Sequence, residues 1–293
     1  MSRTIKPLVI PTVTDGQDLL IKLLGDDDPV VLDEVRNKII SLGPDTLLWL
    51  RPLSMSNDGI LRKNARDIVH HFEQVSAREN FLQYCSRKEE QLDLEQGLFM
   101  LAKTKYPEIN SDAYRAIIDD FARELKVWIK DGPGQSLLER VSKFLFEEKG
   151  FTGNMENYYD PDNHFINRII DRRTGGPVGL CLLYVLIMRR IFGMQVHAIG
   201  MPGHAVCCFF SGSQIIYIDA FNLGKLLTRN DCIKHLKAHN HDAREEYLAP
   251  MSIRRSLARV CGNLEGIYSD LKRESDAARF RRYLKDLSSS QTN

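Results

Sequence analysis

The feature that most constrains the fold is a change of pattern at Gly193. Before it, GLCLLYVLIMRRIF (residues 179–192) has the composition of an apolar helix, introduced by Thr174-Gly175-Gly176-Pro177. Pro177 suits the first helical position, because the N–H that it lacks would be unpaired there. After Gly193, MQVHAIGM, HAVCCFF and QIIYIDAF are typical of short strands, with Ser211-Gly212 as a turn signal. This order predicts an α+β fold with a small antiparallel sheet packed on helices.

The rest of the chain is predicted to be helical. Residues 16–75 contain short helical segments separated by breaks, which resemble one or two HEAT-type hairpins; the alternative is a plain helical subdomain that packs on the rest. Helical patterns continue over residues 89–149 and return from Asn230. We therefore predict a HEAT-like helical region over 1–85, a core over 86–240, and a C-terminal helical hairpin with a frayed tail over 241–293.

Composition argues against several classes of protein. The 293 residues include 40 basic and 39 acidic side chains, a net charge of +1, so no nucleic-acid partner is expected. The N-terminal residues lack the apolar stretch of a signal peptide, and the longest apolar run, residues 178–188, is too short to span a bilayer. The six cysteines form no CxxC pair. Reduced thiols in a cytoplasmic protein without membrane contact are the expectation.

Cys181 lies in the opening turns of the apolar helix. The free N–H groups at a helix N-terminus favour a thiolate and can hold a developing oxyanion. Taken alone, the position favours a buried, inert core cysteine, because the helix is apolar and cysteine is among the commonest core residues.

The following hairpin supplies the partners that a nucleophilic thiol requires. If Ser211-Gly212 is a two-residue loop, Phe210 pairs with Ser213, and His204 then lies directly opposite Asp219 on one face of the sheet. A slip of one residue would move Asp219 to the other face. The expected order is a thiol on a helix, a histidine base on one strand and an orienting aspartate on the next.

These segments resemble the transglutaminase-like superfamily. The likeness is carried by GLCLLYVLIMRRIFGMQVHAIG, GHAVCCFF and IIYIDAFN. More narrowly, NYYDPDNHFINRIIDRRTGGPVGLCLLY, with LFMLAKTKYPEIN upstream and DAFNLGKLL downstream, is similar to the SirB-type branch, and a related region occurs in a eukaryotic F-box protein. The resemblance covers roughly residues 90–235. It implies a papain-like cysteine site with Cys181 as nucleophile, His204 as base and Asp219 as orienter.

Two functions follow from this resemblance. The first is thiol-dependent acyl transfer or amide hydrolysis, a cysteine-protease-like hydrolase chemistry, on a peptide or protein substrate without a cofactor. The second is a catalytically inactive interaction module, with a protein partner docked on the N-terminal helices. The second stays open because members of the branch often carry Ser, Ala or Gly at the position of Cys181, and a fold can survive without its chemistry.

Other residues are weaker candidates. Asn167 is a candidate oxyanion donor, or else a capping amide, and Tyr158, Tyr159 and Asp160 either line a cleft or simply pack. His70-His71 and the group His235, His239 and His241 lack a third ligand of known reach, so no metal site is predicted.

Overall fold

The computed structural model describes residues 15–130 and 136–289. They fall into two compact units, one ending at Ser76 and the other beginning at Ala77. The described residues form twelve α-helices, a four-stranded antiparallel sheet and a short two-stranded parallel pair, which confirms the α+β prediction. The three predicted regions stay predictions; Cys85, at the first predicted boundary, is the last residue of a helix that runs through the division between the units.

The first unit is helical, as predicted. It contains α1 (Asp15–Leu24), α2 (Pro29–Leu42), α3 (Leu47–Leu53) and the first part of α4 (Gly59–Cys85). Asp28 caps α2 by accepting a hydrogen bond from the N–H of Val30, the usual role of an N-cap aspartate. The apolar faces of the helices enclose a small core made by Leu24, Val35, Ile39, Leu50, Ala65, Ile68 and Phe72. Its HEAT-type classification stays a prediction.

The second unit is built around one helix. Its helices are α5 (Leu94–Lys103), α6 (Ser111–Trp128), α7 (Leu137–Ser142), α8 (Ile166–Arg172), α9 (Pro177–Phe192), α10 (Arg229–Ala238), α11 (Ile253–Asp270) and α12 (Glu274–Ser289). A π-helical segment, Lys143–Glu148, extends α7. Every residue of α9 from Pro177 to Met188 is buried, because the sheet, α6, α8 and α11 pack around it. An apolar sequence on all sides of a helix requires this surrounding shell.

Helix α9 is also the one segment among the described residues that is long and apolar enough to cross a membrane, over Pro177–Gln195. Of this stretch, 67% is buried inside the protein. Packing in the core therefore accounts for its composition.

The sheet has the order β3 (Val196–Met201), β4 (His204–Ser211), β5 (Gln214–Asp219) and β6 (Lys225–Leu227), all antiparallel. The two remaining strands, β1 (Thr152–Gly153) and β2 (Thr174–Gly175), form the parallel pair just before α9. Strands β3 and β4 pack directly on α9. The sheet therefore presents one face to the helix that carries Cys181.

The predicted register of the central hairpin is wrong by two residues. Ser211 pairs with Gln214 and Phe210 with Ile215, so the two-residue loop is Gly212-Ser213 and not Ser211-Gly212. Gly212 has a φ of 60°, and glycine is the residue that takes this conformation without strain at the first central position of a hairpin turn. The placement of the turn was therefore decided by the backbone requirement of Gly212.

Candidate active site

His204 and Asp219 form a buried hydrogen-bonded pair. His204 opens β4 directly after a turn at Pro202-Gly203, and Asp219 ends β5. The ring Nε2 of His204 lies 2.9 Å from Oδ2 of Asp219. The observed register places the two residues diagonally, not opposite each other as predicted. The contact survives because a shift of two residues keeps a side chain on the same face of a strand.

The surroundings of Asp219 stabilise its carboxylate. Oδ1 accepts hydrogen bonds from the backbone N–H groups of Phe221 (3.2 Å) and Asn222 (3.1 Å), and Oδ2 accepts one from the Asn222 side chain at 2.8 Å. Burial alone would raise the pKa of Asp219, but the hydrogen bond and charge of His204, together with the bonds from Asn222, hold it below its usual value. Asp219 thus orients His204 and also organises the turn after β5.

An ionised Asp219 determines the protonation of the His204 ring. A carboxylate only accepts hydrogen bonds, so Nε2 of His204 must carry the proton and Nδ1 is the acceptor in the neutral ring. The ring lies edge-on to Phe221, with centroids 6.0 Å apart, and beside the ring of His235 at 5.2 Å. Burial, and then the charges of His204 and His239, lower the pKa of His235. The hydrogen bond to Asp219 and the contacts with Phe221 and His235 therefore hold the imidazole of His204 in one orientation.

The structure does not bring Cys181 to this pair. Its thiol is 0% exposed, and its sulfur lies 3.3 Å from the sulfur of Cys207 on β4. Cys207 also donates to the backbone oxygen of Cys181 at 3.4 Å. Burial, and then the hydrogen bond to Cys181, raise the pKa of Cys207 well above its usual value. Within the described residues no hydrogen bond joins Cys181 to His204, and the contact of the two thiols links helix to sheet.

A cleft of about 260 Å³ lies beside His204. The start of α9, at Pro177 and Val178, forms part of its wall, whereas Cys181 does not line it. The remaining lining comes from the loop before α8, the β3–β4 turn and one face of α11: Tyr158, Tyr159, His164, Gly203, Arg259, Gly262, Asn263, Gly266, Ile267 and Asp270. The residues of α9 that line the cleft are thus a proline and a valine, and neither carries a nucleophile.

Arg259 and His164 are two of the polar cleft residues that were not identified from the sequence. Arg259 lies in the basic C-terminal segment, whose charge pattern is that of a solvated helix face, and His164 lies in an Asn- and Asp-rich loop. Burial, and then the charge of Arg255, lower the pKa of Arg259, and burial lowers the pKa of His164 to about 4 although Asp160 acts in the opposite direction. Periodicity cannot show that both of these segments pack against α9.

The other sequence candidates lie apart from the cleft or at its edge. Asn167 is buried in α8 with its side-chain oxygen unpaired, and it does not line the cleft. Tyr158 and Tyr159 stand at the cleft, while Asp160 caps the short helix that follows and binds Arg172. Across residues 15–130 and 136–289, no grouping of three His, Cys, Asp or Glu side chains suits a metal ion.

Comparison with known proteins gives two groups of relatives. The chain is 26% identical over 198 residues to a protein named UPF0162 protein from Xylella fastidiosa strain 9a5c, covering 65% of this chain and 70% of that one. A UPF0162 protein of Vibrio cholerae is 24% identical over 160 residues, 54% of this chain and 58% of that one. F-box only protein 21 of Mus musculus is 29% identical over 136 residues, 44% of this chain but 21% of that one.

No solved structure matches the chain. The sequence profile of the transglutaminase-like superfamily matches residues 112–262, more than half of the chain. This range contains α9, the four-stranded sheet, the His204–Asp219 pair and most of the cleft. The chain therefore belongs to the transglutaminase-like superfamily.

Proposed function

We propose that this chain is a binding module of the transglutaminase-like fold, whose cleft beside His204 takes a peptide segment of a protein partner. One observation carries the proposal: Val178, and not Cys181, stands in the cleft at the start of α9. Covalent acyl transfer requires a nucleophile within hydrogen-bonding reach of its base and open to the substrate. A valine side chain supplies none, and the Cys181 thiol is enclosed against Cys207.

In a binding module, the His204–Asp219 pair provides a hydrogen-bond acceptor for the ligand and maintains the shape of the cleft. Asp219 fixes the ring of His204 so that Nδ1 is a hydrogen-bond acceptor. The same carboxylate accepts a hydrogen bond from the backbone N–H of Phe221 after β5. It so holds the ring of Phe221 against that of Tyr158, and the two ring centroids lie 5.8 Å apart. A dyad of this kind is a rigid cleft wall even without a nucleophile.

The lining of the cleft suits a polypeptide segment. Tyr158 and Tyr159 are 37% and 70% exposed and supply aromatic contact area. Gly262 and Gly266, four residues apart on α11, leave two gaps between the side chains of that wall, so a ligand backbone can approach closely there. The volume of about 260 Å³ lies below the range of pockets for drug-sized ligands, about 300–1,000 Å³. It suits a side chain or the end of a chain.

Acyl transfer or amide hydrolysis by Cys181, His204 and Asp219 is the second candidate. The 2.9 Å contact between His204 and Asp219 favours it, because this is the base–orienter half of a triad. It would require the Cys181 thiol to leave Cys207 and reach His204, with Asn167 as a candidate oxyanion donor. We also infer membership of the SirB-type branch, a cytoplasmic location, and a second docking surface on the N-terminal helices. The match to an F-box protein supports the branch assignment.

Thiol reactivity separates the two functions. The folded chain is treated with iodoacetamide between pH 6 and 9, and each modified cysteine is mapped. A binding module leaves Cys181 as unreactive as Cys207 until the protein is denatured. Fast labelling of Cys181 at neutral pH that is lost in His204→Ala would overturn the proposal and establish the thiol enzyme. His235→Ala is the matched control, because it removes a neighbouring imidazole that has no bond to Asp219.

A further inference from the structure

Arg259 brings to the cleft a positive charge that forms no ion pair with the described residues. Its NH2 group donates to the backbone oxygen of Met201 at 2.8 Å, which anchors the turn that leads to His204. Its Nε is buried without a partner, and no carboxylate of the described residues forms an ion pair with it. A guanidinium has five N–H donors in a planar fork that matches a carboxylate. Most of its donors therefore remain for a ligand.

The N-terminus of α9 adds backbone donors to the same cleft. Gly176, its N-cap, makes no side-chain capping bond, and the first turn contains no acidic residue. Pro177 has no N–H, so the N–H of Val178 is the first that the helix presents, and no backbone oxygen of the described residues accepts it. The start of a 16-residue helix attracts negative charge.

His164 is a third, independent sign of a missing partner. Its side chain is 5% exposed and lines the cleft, and its Nδ1 is buried without a hydrogen bond. The ring lies close to the helix start, with Cε1 3.5 Å from the position that a Cβ on Gly176 would take. Buried polar atoms of native proteins are nearly always bonded, so an unpaired one beside a cleft points to a ligand atom.

We propose that the cleft binds the free carboxylate at the C-terminal end of a polypeptide chain, held between Arg259 and the N-terminus of α9. This rests on the proposed binding function and names its ligand class. The carboxylate would accept two hydrogen bonds from the guanidinium and one from the N–H of Val178. The bound chain would then run along the glycine face of α11 toward Tyr158 and Tyr159 at the cleft edge.

The charges around the cleft favour a carboxylate over a phosphate. Asp270 lines the same cleft, and the ionised Asp219 lies just behind His204. One arginine and one helix terminus balance a single negative charge, whereas a dianion would meet repulsion from both aspartates. No lysine lines the cleft, and the helix start lacks the glycine-rich loop that cradles phosphates.

The test uses the full chain and a pool of random octapeptides anchored through their N-termini. The pool is displayed once with free C-terminal carboxylates and once with carboxamides, and peptides that bind are resynthesised in both forms. We expect amidation to weaken binding by about 10- to 100-fold, as for loss of a hydrogen-bonded charge. Equal binding of both forms, tighter binding of internal phosphopeptides, or no binding by any peptide would each overturn the proposal.

Three variants locate the contact. Arg259→Gln should lose about as much affinity as amidation of the peptide, whereas Arg255→Gln, an exposed charge one turn away, should keep it. Because Arg259→Gln also removes the anchor on Met201, Gly266→Leu is the second test. A Cβ at Gly266 meets nothing within 4 Å, so leucine there fills the cleft without breaking a contact and should abolish binding. Unchanged affinity in both variants would refute the site.

Failure of this inference is distinct from failure of the proposed function. If Cys181 stays unreactive but peptides show no preference for a carboxylate, the ligand class is wrong and the binding module stands. If Cys181 labels rapidly in a His204-dependent manner, the binding-module function is wrong whatever the peptides show.

Discussion

The sulfur atoms of Cys181 and Cys207 lie 3.3 Å apart, on the side of α9 that packs against β4. Pro177 begins the helix and Val178 follows it at the cleft, whereas Cys181 lies about one turn deeper. That one turn moves the thiol from the end of the helix, where N–H groups are free, into the core. The contact with Cys207 thus joins helix to sheet and keeps the thiol away from the cleft, where a thiol enzyme would need an open nucleophile.

Replacement of Cys181 by serine should lower the free energy of unfolding. Serine has nearly the same shape, so the change isolates the cost of a hydroxyl in an apolar site, about 1–3 kcal/mol. Urea denaturation followed by circular dichroism measures it. Cys181→Ala, which removes the sulfur and adds no hydroxyl, is the comparison. A serine variant as stable as the parent would mean that the position is solvated, as a nucleophile should be.

Much of this second unit could be predicted from sequence because its signals are local. Pro177 at the first position of α9, the strand pattern after Gly193, and the same-face relationship of His204 and Asp219 all follow from periods of 3.6 and 2. The sequence does not determine the register of the hairpin, because the same residues allow either of two glycine-containing loops, Ser211-Gly212 or Gly212-Ser213. A two-residue error preserves the face, so the pair was still found.

Loss of the Asp219 carboxylate should cost stability in a pH-dependent way. Asp219→Asn replaces the charged acceptor of His204 and of the turn, and we expect a loss of about 1.5–3 kcal/mol at pH 7. The pKa of Asp219 is held below its usual value, so its contribution is full above about pH 4 and disappears as the pH falls through the folded pKa. Denaturation curves of parent and variant should therefore converge below pH 4.

Glu156→Gln is the matched control for this variant, because Glu156 is an exposed carboxylate of the same unit. It should leave the unfolding free energy within about 0.5 kcal/mol of the parent. A gap between parent and Asp219→Asn that is equally wide at pH 7 and pH 3 would show that the carboxylate charge contributes nothing, and that only the packing of the side chain matters.

Replacement of two helical glycines by alanine should change the free energy of unfolding in opposite directions. A Cβ at Gly179 in α9 would lie 2.4 Å from Cδ1 of Ile169 and 2.6 Å from the backbone oxygen of Asn163, so Gly179→Ala must displace the loop that carries His164. We expect a loss of about 1–3 kcal/mol. Gly266→Ala meets nothing within 4 Å and should gain up to about 1 kcal/mol from helix propensity.

Thermal and urea unfolding of both variants measure this contrast. Equal stabilisation by both alanines would mean that α9 does not pack as closely on the loop before α8 as the structure shows. The close approach matters for the cleft, because it holds His164 beside the start of α9. Such long-range packing leaves no periodic signal in the sequence, so the sequence alone does not indicate that His164 and Arg259 line the cleft.

His164 should make the folded state sensitive to mild acid. Burial lowers its pKa to about 4, against about 6.5 in the unfolded chain, so the unfolded state binds the proton first. The contribution of the neutral His164 ring to the free energy of unfolding is complete above pH 6.5. As the pH falls toward 4, about 3 kcal/mol of this free energy is lost. His164→Gln should remove that part of the pH dependence in urea denaturation, whereas the exposed His241→Gln should not. A parent and a His164→Gln variant with parallel stability curves from pH 7.5 to 4 would show that the pKa of the ring is the same in the folded protein as in the unfolded chain, which would require solvent or a carboxylate at its buried Nδ1.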